Sequence, residues 1–379
     1  MNVRAINEVL STEVPKAPDF LPHLAELERS SIRFRFEFGL DELPMEPGIL
    51  VVRGARQYGK STWLEQELWK TIKTFGPGTA FYLNGDDIAD SAALGHAIEE
   101  LLPLYSQSSR VRRLFIDEIT AVRDWQKALK RLADAGAMRD VLVITTGSRA
   151  TDLRRGTERL PGRKGKLSRS TYLFTPISFA EFNRVAGPLL EKDTLDAYMM
   201  TGGSPVACAE IVRGRVPEYA VEIVKDWVLG ECARSGRSRA SLVAIMEYLL
   251  RRGGTPVSQA GLARDTGLAN NTVAEGYIDM LCDLMCIAPT YAWDASRKIK
   301  VRRRPRKLPF CNTMVALAWH PAQVRTVREF QQAPSEVRAM WREWTVAQEL
   351  WRRAAMAGRD SAEELQYWQG GDHEIDFVE

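Results

Sequence analysis

The sequence predicts an α/β chain in which a parallel sheet covered by helices is followed by helical units and a small α/β C-terminal segment. Three observations carry that expectation. Short apolar runs at Ile49–Arg53, 79–83 (TAFYL), 113–117 (RLFID) and 141–148 (VLVITTGS) alternate with helical patterns, and such alternation calls for right-handed crossovers between parallel strands. A Gly-rich turn follows the first run directly. Beyond about Asp193 the strand signals stop, and helical periods dominate through DTLDAYMMTGGSP, PEYAVEIVKDWVLGECA and SLVAIMEYLLRRGG.

At about 150 residues per domain, 379 residues make two or three domains, each able to bury its own core. An amphipathic N-terminal helical segment, 1–44, ends at the turn MEPG. The α/β core is expected over 45–190 and a helical unit over 191–240. Residues 241–312 have another texture: PVSQAGLARDTGLANNTVAEGYIDMLCDLMCI reads as a short helix, a turn at Gly267 and a longer helix, and an apolar and basic hairpin pattern follows. That pattern matches a winged helix. The last segment, 313–379, combines an amphipathic helix, SEVRAMWREWTVAQELWRRAAMAG, with a strand pair, LQYWQG and HEIDFVE.

Composition excludes several classes. The hydrophobic fraction of 45% and charged fraction of 27% are those of a globular protein. No apolar run approaches the roughly 20 residues that cross a bilayer, so no membrane partner is expected. The N-terminus has no apolar core of signal-peptide length before its first charges and prolines, which points to the cytoplasm. Five scattered cysteines fit reduced thiols better than a disulfide framework. Cys282 and Cys286, four apart on a helix, lack a second Cys/His pair and read as small buried apolar residues.

The net charge of +3 conceals a division along the chain. Residues 149–169 carry eight Lys/Arg against two acids, a charge of +6, and residues 297–307, RKIKVRRRPRK, carry eight and no acid; the remainder stands at −11. Two concentrated basic segments on an acidic body point to local binding of polyanions.

The chemistry begins after the first strand. Gly54-Ala55-Arg56-Gln57-Tyr58-Gly59-Lys60-Ser61-Thr62 contains the complete GxxxxGK[ST] phosphate loop and runs into a helical pattern. The glycines let the backbone wrap so that its N–H groups face phosphate oxygens, Lys60 reaches the terminal phosphates, and Ser61 ligates magnesium at the helix N-terminus. Asp117 and Glu118 end the strand 113–117. An acid pair there is ordinarily a solvated edge, but beside a phosphate loop Asp117 holds the magnesium shell, and Glu118 orients and deprotonates the attacking water. Thr146 and Ser148 stand at the C-terminal end of the next strand, where open α/β sheets place ligands. A hydroxyl there senses the terminal phosphate; the alternative is a plain turn at Gly147. Arg159 and Arg163 flank a Pro-Gly turn in the first basic segment. An arginine on such a turn reaches a neighbouring subunit's phosphates, unless the loop is merely solvated.

RGARQYGKST, LFIDEITAVRDWQKALKRLADAG, ITTGSRATDLRRGTERLPGRKG, FTPISFAEF and MTGGSP together resemble the AAA+ superfamily ATPases of the archaeal and bacterial type, over roughly residues 45–379. The resemblance implies a sheet of AAA+ type with a helical lid over 191–240, then a winged helix and often a restriction-endonuclease-like domain. It implies ATP binding by Gly54 to Ser61 with magnesium, hydrolysis by Asp117 and Glu118, a sensor at Thr146 or Ser148, a trans-acting arginine at Arg163, and an oligomer. Gly202-Gly203 and Pro205 match the family's GGxP turn. The terminal segment resembles the family's nuclease-like end: Glu343 or Glu349 stands for its helical acid, and Glu374 and Asp376 for its strand pair. The chain ends at Glu379 before any Lys-bearing strand, so this segment is expected to be inactive or structural.

In the winged helix, Lys298, Lys300, Arg302 and Arg304 alternate and are expected to share one face of a strand that, with Arg303 and Arg306, tracks a DNA backbone. Glu275, Asp279 and Asp283 on the preceding helix suit phosphates badly. The leading expectation is therefore an oligomeric ATPase coupled to nucleic acid, with DNA as the expected partner. Its rivals are a switch that docks a protein partner through the winged helix and an ATPase-gated nuclease.

Overall fold

β1 (Gly48–Gly54) pairs in parallel with β4 (Leu142–Gly147) and with β5 (Thr171–Phe174), while β3 (Arg113–Asp117) joins β4 to β2 (Ala80–Asn84), so the sheet runs β2-β3-β4-β1-β5 with every pairing parallel. This is a mixed α/β architecture with a five-stranded parallel sheet, as the sequence predicts, in the computed structural model, which describes residues 3–148, 165–359, 364–371 and 373–378. The strand order puts β1 in the interior, between β4 and β5. Leu50, Val51 and Val52 are at most 1% exposed and Val143 and Ile144 are fully buried, which is why these runs are apolar throughout rather than alternating. β5 is the strand with no sequence signal of its own: four residues, TYLF, are too few to show a period.

The chain divides into two compact units, residues 1–55 with 59–174, and residues 56–58 with 175–379. In the first, α3 (Lys60–Phe75), α4 (Ser91–Leu101) and α5 (Trp125–Asp134) accompany the sheet. The N-terminal segment forms α1 (Val3–Thr12) and α2 (Pro22–Arg29). Asn7 is the polar exception on the buried face of α1. Its side chain donates to the Tyr82 carbonyl at 2.7 Å and accepts from the Tyr82 N–H at 2.8 Å, completing edge strand β2 with a backbone-like pair. Arg113, 6% exposed, donates to Thr71 Oγ1 and to the Leu43 and Pro44 carbonyls, tying the segment before β1 to β3.

The second unit is mostly helical: α6 (Phe179–Leu190), α7 (Thr194–Thr201), α8 (Pro205–Ile211), α9 (Glu218–Arg234), α10 (Arg239–Arg252), α11 (Gln259–Asp265), α12 (Asn271–Asp283), α13 (Thr313–Trp319), α14 (Val327–Gln331) and α15 (Ser335–Met356). Ser178, Ser238, Ser258 and Asn270 cap the helices that follow them. Gly267, at φ 68°, supplies the turn before α12. The hairpin β6 (Tyr291–Asp294) and β7 (Ile299–Val301) does not stand alone. β6 also pairs in parallel with β8 (Gln366–Gly370), which pairs with β9 (His373–Val378), giving a four-stranded sheet β7-β6-β8-β9. One sheet thus spans the boundary expected at 312/313.

The Gly202-Gly203 turn has a packing cause. Both residues have positive φ, and both are crowded: a Cβ on Gly202 would lie 2.4 Å from the Met314 nitrogen, and one on Gly203 would lie 2.3 Å from the Ile177 carbonyl oxygen. Two backbone segments cross this turn too closely for any side chain. No helix among the described residues is long and apolar enough to cross a membrane.

Candidate functional site

The loop from β1 to α3 turns on Gln57 (φ 58°) and Gly59 (φ 96°), left-handed positions that curl the backbone before the helix starts. Gly59 is needed twice over, since a Cβ there would stand 2.6 Å from the Phe36 ring. At the other end, a Cβ on Gly54 would stand 2.7 Å from Phe174 Cβ. Lys60 is 4% exposed, and its ammonium donates to the Gly54 and Ala55 carbonyls at 3.1 and 2.7 Å. The cation is thereby held inside the curl of its own loop. Ser61 and Thr62 follow in the first turn of a 16-residue helix with no acid there, so the positive end of the helix is uncompensated. Of the remaining loop residues, Ala55 and Tyr58 are buried, and Arg56 and Gln57 are exposed.

Asp117 and Glu118 close β3 beside this loop, because β3, β4 and β1 are successive parallel strands whose C-terminal ends share one edge. Asp117 is 5% exposed. Its Oδ1 accepts from the Glu118 N–H at 3.0 Å and from the Thr146 hydroxyl, while its Oδ2 accepts nothing among the described residues. Glu118 adopts φ 43°, ψ 44°. A non-glycine residue there costs on the order of 1 kcal/mol and persists only where its surroundings over-determine it. They do: its N–H meets both Asp117 and Thr146 Oγ1 (3.2 Å), and its Oε2 accepts from the Ser148 N–H and hydroxyl at 3.1 and 3.0 Å. Gly85 faces it, and a Cβ on Gly85 would fall 2.3 Å from the Glu118 carbonyl oxygen.

The structure therefore gathers Lys60, Asp117, Glu118, Thr146 and Ser148 at one end of the sheet. The donor set fits a hard divalent cation. Asp117 keeps one carboxylate oxygen without a hydrogen bond among the described residues, and Ser61 stands in the helix turn that follows the loop; both offer oxygen, the element magnesium takes. Arg159 and Arg163 lie outside the described residues.

The basic run departs from the expected geometry. β7 is three residues long, so of the four alternating cations only Lys300 is in it, with its ammonium 5.2 Å from the Tyr291 ring centre. Lys298 (φ 53°) sits in the hairpin turn, which Asp294 closes by accepting from the Ser296 and Arg297 N–H groups. Arg302, Arg303 and Arg304 lie in a second turn before Pro305; with Lys298 they are exposed. Arg306 differs from them: its guanidinium pairs with Glu275 on α12 and its side chain is 12% exposed. A cation so engaged is poorly placed to neutralise phosphate.

Lys307 is the residue that sequence reading passed over. It is 1% exposed, and its ammonium lies 2.6 Å from Glu374 and from Asp376 and 3.3 Å from Glu343. A lysine upstream in the chain thus lies against the Glu374 and Asp376 pair. Burial works against its charge, but the hydrogen bonds it donates to Asp376 and Glu374 prevail and hold its pKa above the ordinary lysine value. The carboxylates do not frame a metal as they stand: among the described residues no group of three or more His, Cys, Asp or Glu is arranged to hold one, and an ammonium already lies among these three. Glu349, the other candidate helical acid, instead accepts from the Phe179 N–H at 3.2 Å. The cysteines are free thiols, Cys286 fully buried and Cys282 partly.

Residues 46–183 match the AAA_14 family model, described as an AAA domain. No curated protein matches the chain. Among solved structures the chain is similar to the Walker-type ATPase PABY2304 of Pyrococcus abyssi (13% identity, TM-score 0.48, covering 72% of this chain and 90% of that one). It is also similar to the Aeropyrum pernix ORC2 protein in its ADPNP-ADP complexes (10%, 0.40, 90% and 94%) and to the Aeropyrum pernix ORC1 protein in complex with DNA (16%, 0.35, 79% and 90%).

Proposed function

We propose that this protein is an AAA+ ATPase that binds and hydrolyses ATP with magnesium and couples turnover to contact with DNA. The observation that carries the reading is the meeting of the Lys60 loop with the Asp117–Glu118–Thr146–Ser148 network at one end of a parallel sheet. Ser61 and Asp117 are the residues to hold magnesium, which supplies charge neutralisation on phosphate oxygens. Lys60 and the N–H groups of the loop bind and orient the terminal phosphates. Thr146 fixes the Asp117 carboxylate through its hydroxyl and, by accepting the Glu118 N–H, holds the strained turn that aims Glu118. The Glu118 carboxylate takes a proton from the attacking water as the water oxygen bonds to the terminal phosphorus and the bond from that phosphorus to the bridging oxygen breaks, the electron pair leaving with ADP. To do so it exchanges a Ser148 hydrogen bond for the water, which makes Ser148 a restraint on the base.

The assembly is a homo-oligomer in which Arg163 of a neighbouring copy neutralises the developing phosphate charge. DNA is contacted through a winged helix spanning 241–312, by the exposed cations Lys298, Arg302, Arg303 and Arg304, and the protein works in the cytoplasm. No cleavage step is assigned to the acid cluster at Lys307, whose three carboxylates are engaged by one ammonium. Phosphate release measured with and without duplex DNA, over a range of protein concentrations, tests the reading. Turnover per subunit is expected to rise with concentration and with DNA. A rate indifferent to both removes the oligomer and the DNA coupling together.

A further inference from the structure

The phosphate loop contains one residue whose surroundings the nucleotide chemistry does not explain. Tyr58 is 2% exposed, and with Arg56 and Gln57 it packs in the C-terminal unit, although Ala55 before it and Gly59 after it belong to the other. Its hydroxyl donates to Asn312 Oδ1 at 2.9 Å in a fully buried pair. Loop residues that only wrap phosphate need backbone N–H groups and small side chains. A large buried side chain with a specific polar partner fixes the loop to something else.

That partner opens a buried polar chain. Thr313, beside Asn312, donates its backbone N–H to Gln348 Oε1 at 3.0 Å. Gln348, fully buried on α15, donates from Nε2 to the Tyr198 hydroxyl at 3.0 Å and to the Gly202 carbonyl at 3.3 Å. The Tyr198 hydroxyl also lies 2.8 Å from the Ile177 carbonyl oxygen and against the Glu349 carboxylate. The path runs from the tip of the phosphate loop through the start of α13 to α15 and to the Gly202-Gly203 turn.

The chain is not fully satisfied. Asn312 Nδ2 and Thr313 Oγ1 are buried and have no hydrogen-bond partner among the described residues, in residues 1% and 0% exposed. Native interiors rarely leave such atoms unpaired. Both atoms sit within one residue of the Tyr58 contact, where a shift of the loop is felt first.

We propose that Tyr58 and Asn312 are positioning residues of the phosphate loop, and that the loop's nucleotide occupancy is transmitted through them to Gln348 on α15. The inference rests on the ATP reading of the loop and adds the route by which the C-terminal unit senses it. Nucleotide on the loop N–H groups moves residues 56–58, Asn312 follows its hydrogen bond to Tyr58, and Thr313 carries the shift to Gln348. By reciprocity, the packing of α15 sets how well the loop receives phosphate.

Amide hydrogen exchange of the full chain, with and without ADP and a slowly hydrolysed ATP analogue, tests the route. The wild type is expected to show a nucleotide-dependent change in protection over residues 312–319 and 335–356. Tyr58→Phe, which deletes one hydroxyl, is expected to bind nucleotide within about twofold to tenfold of wild type, the worth of one neutral hydrogen bond, and to lose the change at 335–356. Asn312→Ala is expected to do the same, and the double variant to do no more, so the folding of any single variant does not decide the matter. A Tyr58→Phe protein that binds nucleotide and keeps the wild-type response at 335–356 overturns the route while leaving the ATP reading intact. So does a wild type that binds nucleotide with no response there. A wild type that binds no nucleotide by calorimetry overturns both.

Discussion

Glu65 on α3 is a carboxylate in the wrong place, and its removal has a calculable signature. It is 2% exposed, and its Oε2 accepts from the Leu24 N–H at 2.8 Å. Burial raises its pKa from the ordinary 4.5 to about 7; the Leu24 N–H opposes the rise and the charge of Asp117 adds to it. The folded chain therefore keeps a proton that the unfolded chain has lost across that interval, so unfolding releases a proton and stability falls as pH rises. The contribution is fully present below about pH 4.5 and is gone above about pH 7. A shift of that size corresponds to roughly 3 kcal/mol. Glu65→Gln keeps an acceptor for Leu24 and has nothing to titrate. Urea denaturation followed by tryptophan fluorescence, with Trp63 in the same unit, is expected to show wild type losing up to roughly 3 kcal/mol relative to the variant between about pH 5 and about pH 8. Curves that run parallel over that range refute the argument, because Glu65 would then titrate alike in the folded and unfolded states.

Other expectations follow from single contacts. Gly203→Ala forces a side chain onto a φ of 71° and to 2.3 Å from the Ile177 oxygen; a loss of roughly 1–3 kcal/mol or more is expected in thermal unfolding, and an unchanged midpoint contradicts it. Arg113→Met strands the Leu43 and Pro44 carbonyls. About 1–3 kcal/mol per unsatisfied group is expected, read by urea midpoint. Lys298, Arg303 and Arg304 replaced together by Ser are expected to weaken DNA binding for all sequences alike, lowering the salt slope by about 0.9 per lost phosphate contact. Arg306→Ser, by contrast, is expected to cost stability through the lost ion pair with Glu275 and to leave the salt slope unchanged.

Local chemistry made part of this legible. The phosphate loop announces itself because a left-handed turn needs Gly59 and because Lys60 must follow it, so motif and geometry are the same fact. The acid pair and Thr146 were readable for a related reason: they end apolar runs, and strand ends of a parallel sheet converge. The rest depends on partners distant in sequence. Lys307 finds Glu343, Glu374 and Asp376 only after 36 to 69 further residues have folded. Arg306 looks like its basic neighbours until Glu275 is packed against it. Gly202 and Gly203 could be noticed but not explained, because the segments that crowd them come from residues 177 and 313–314. Tyr58 hid inside a motif whose pattern treats its position as free. The expectation for the wing failed on length: four alternating cations need a strand of seven residues, and β7 has three.

The central claim is that the Lys60 loop binds ATP and that Glu118 is the base that hydrolyses it. Calorimetric ATP binding and phosphate release on wild type, Lys60→Ala and Glu118→Gln, with magnesium, test it most directly. Lys60→Ala is expected to lose tight binding, because backbone dipoles alone do not offset the terminal phosphate charge. Glu118→Gln is expected to bind as wild type does and to release phosphate roughly two or more orders of magnitude more slowly. A Lys60→Ala protein that binds and hydrolyses like wild type, or a Glu118→Gln protein with undiminished turnover, would contradict the account.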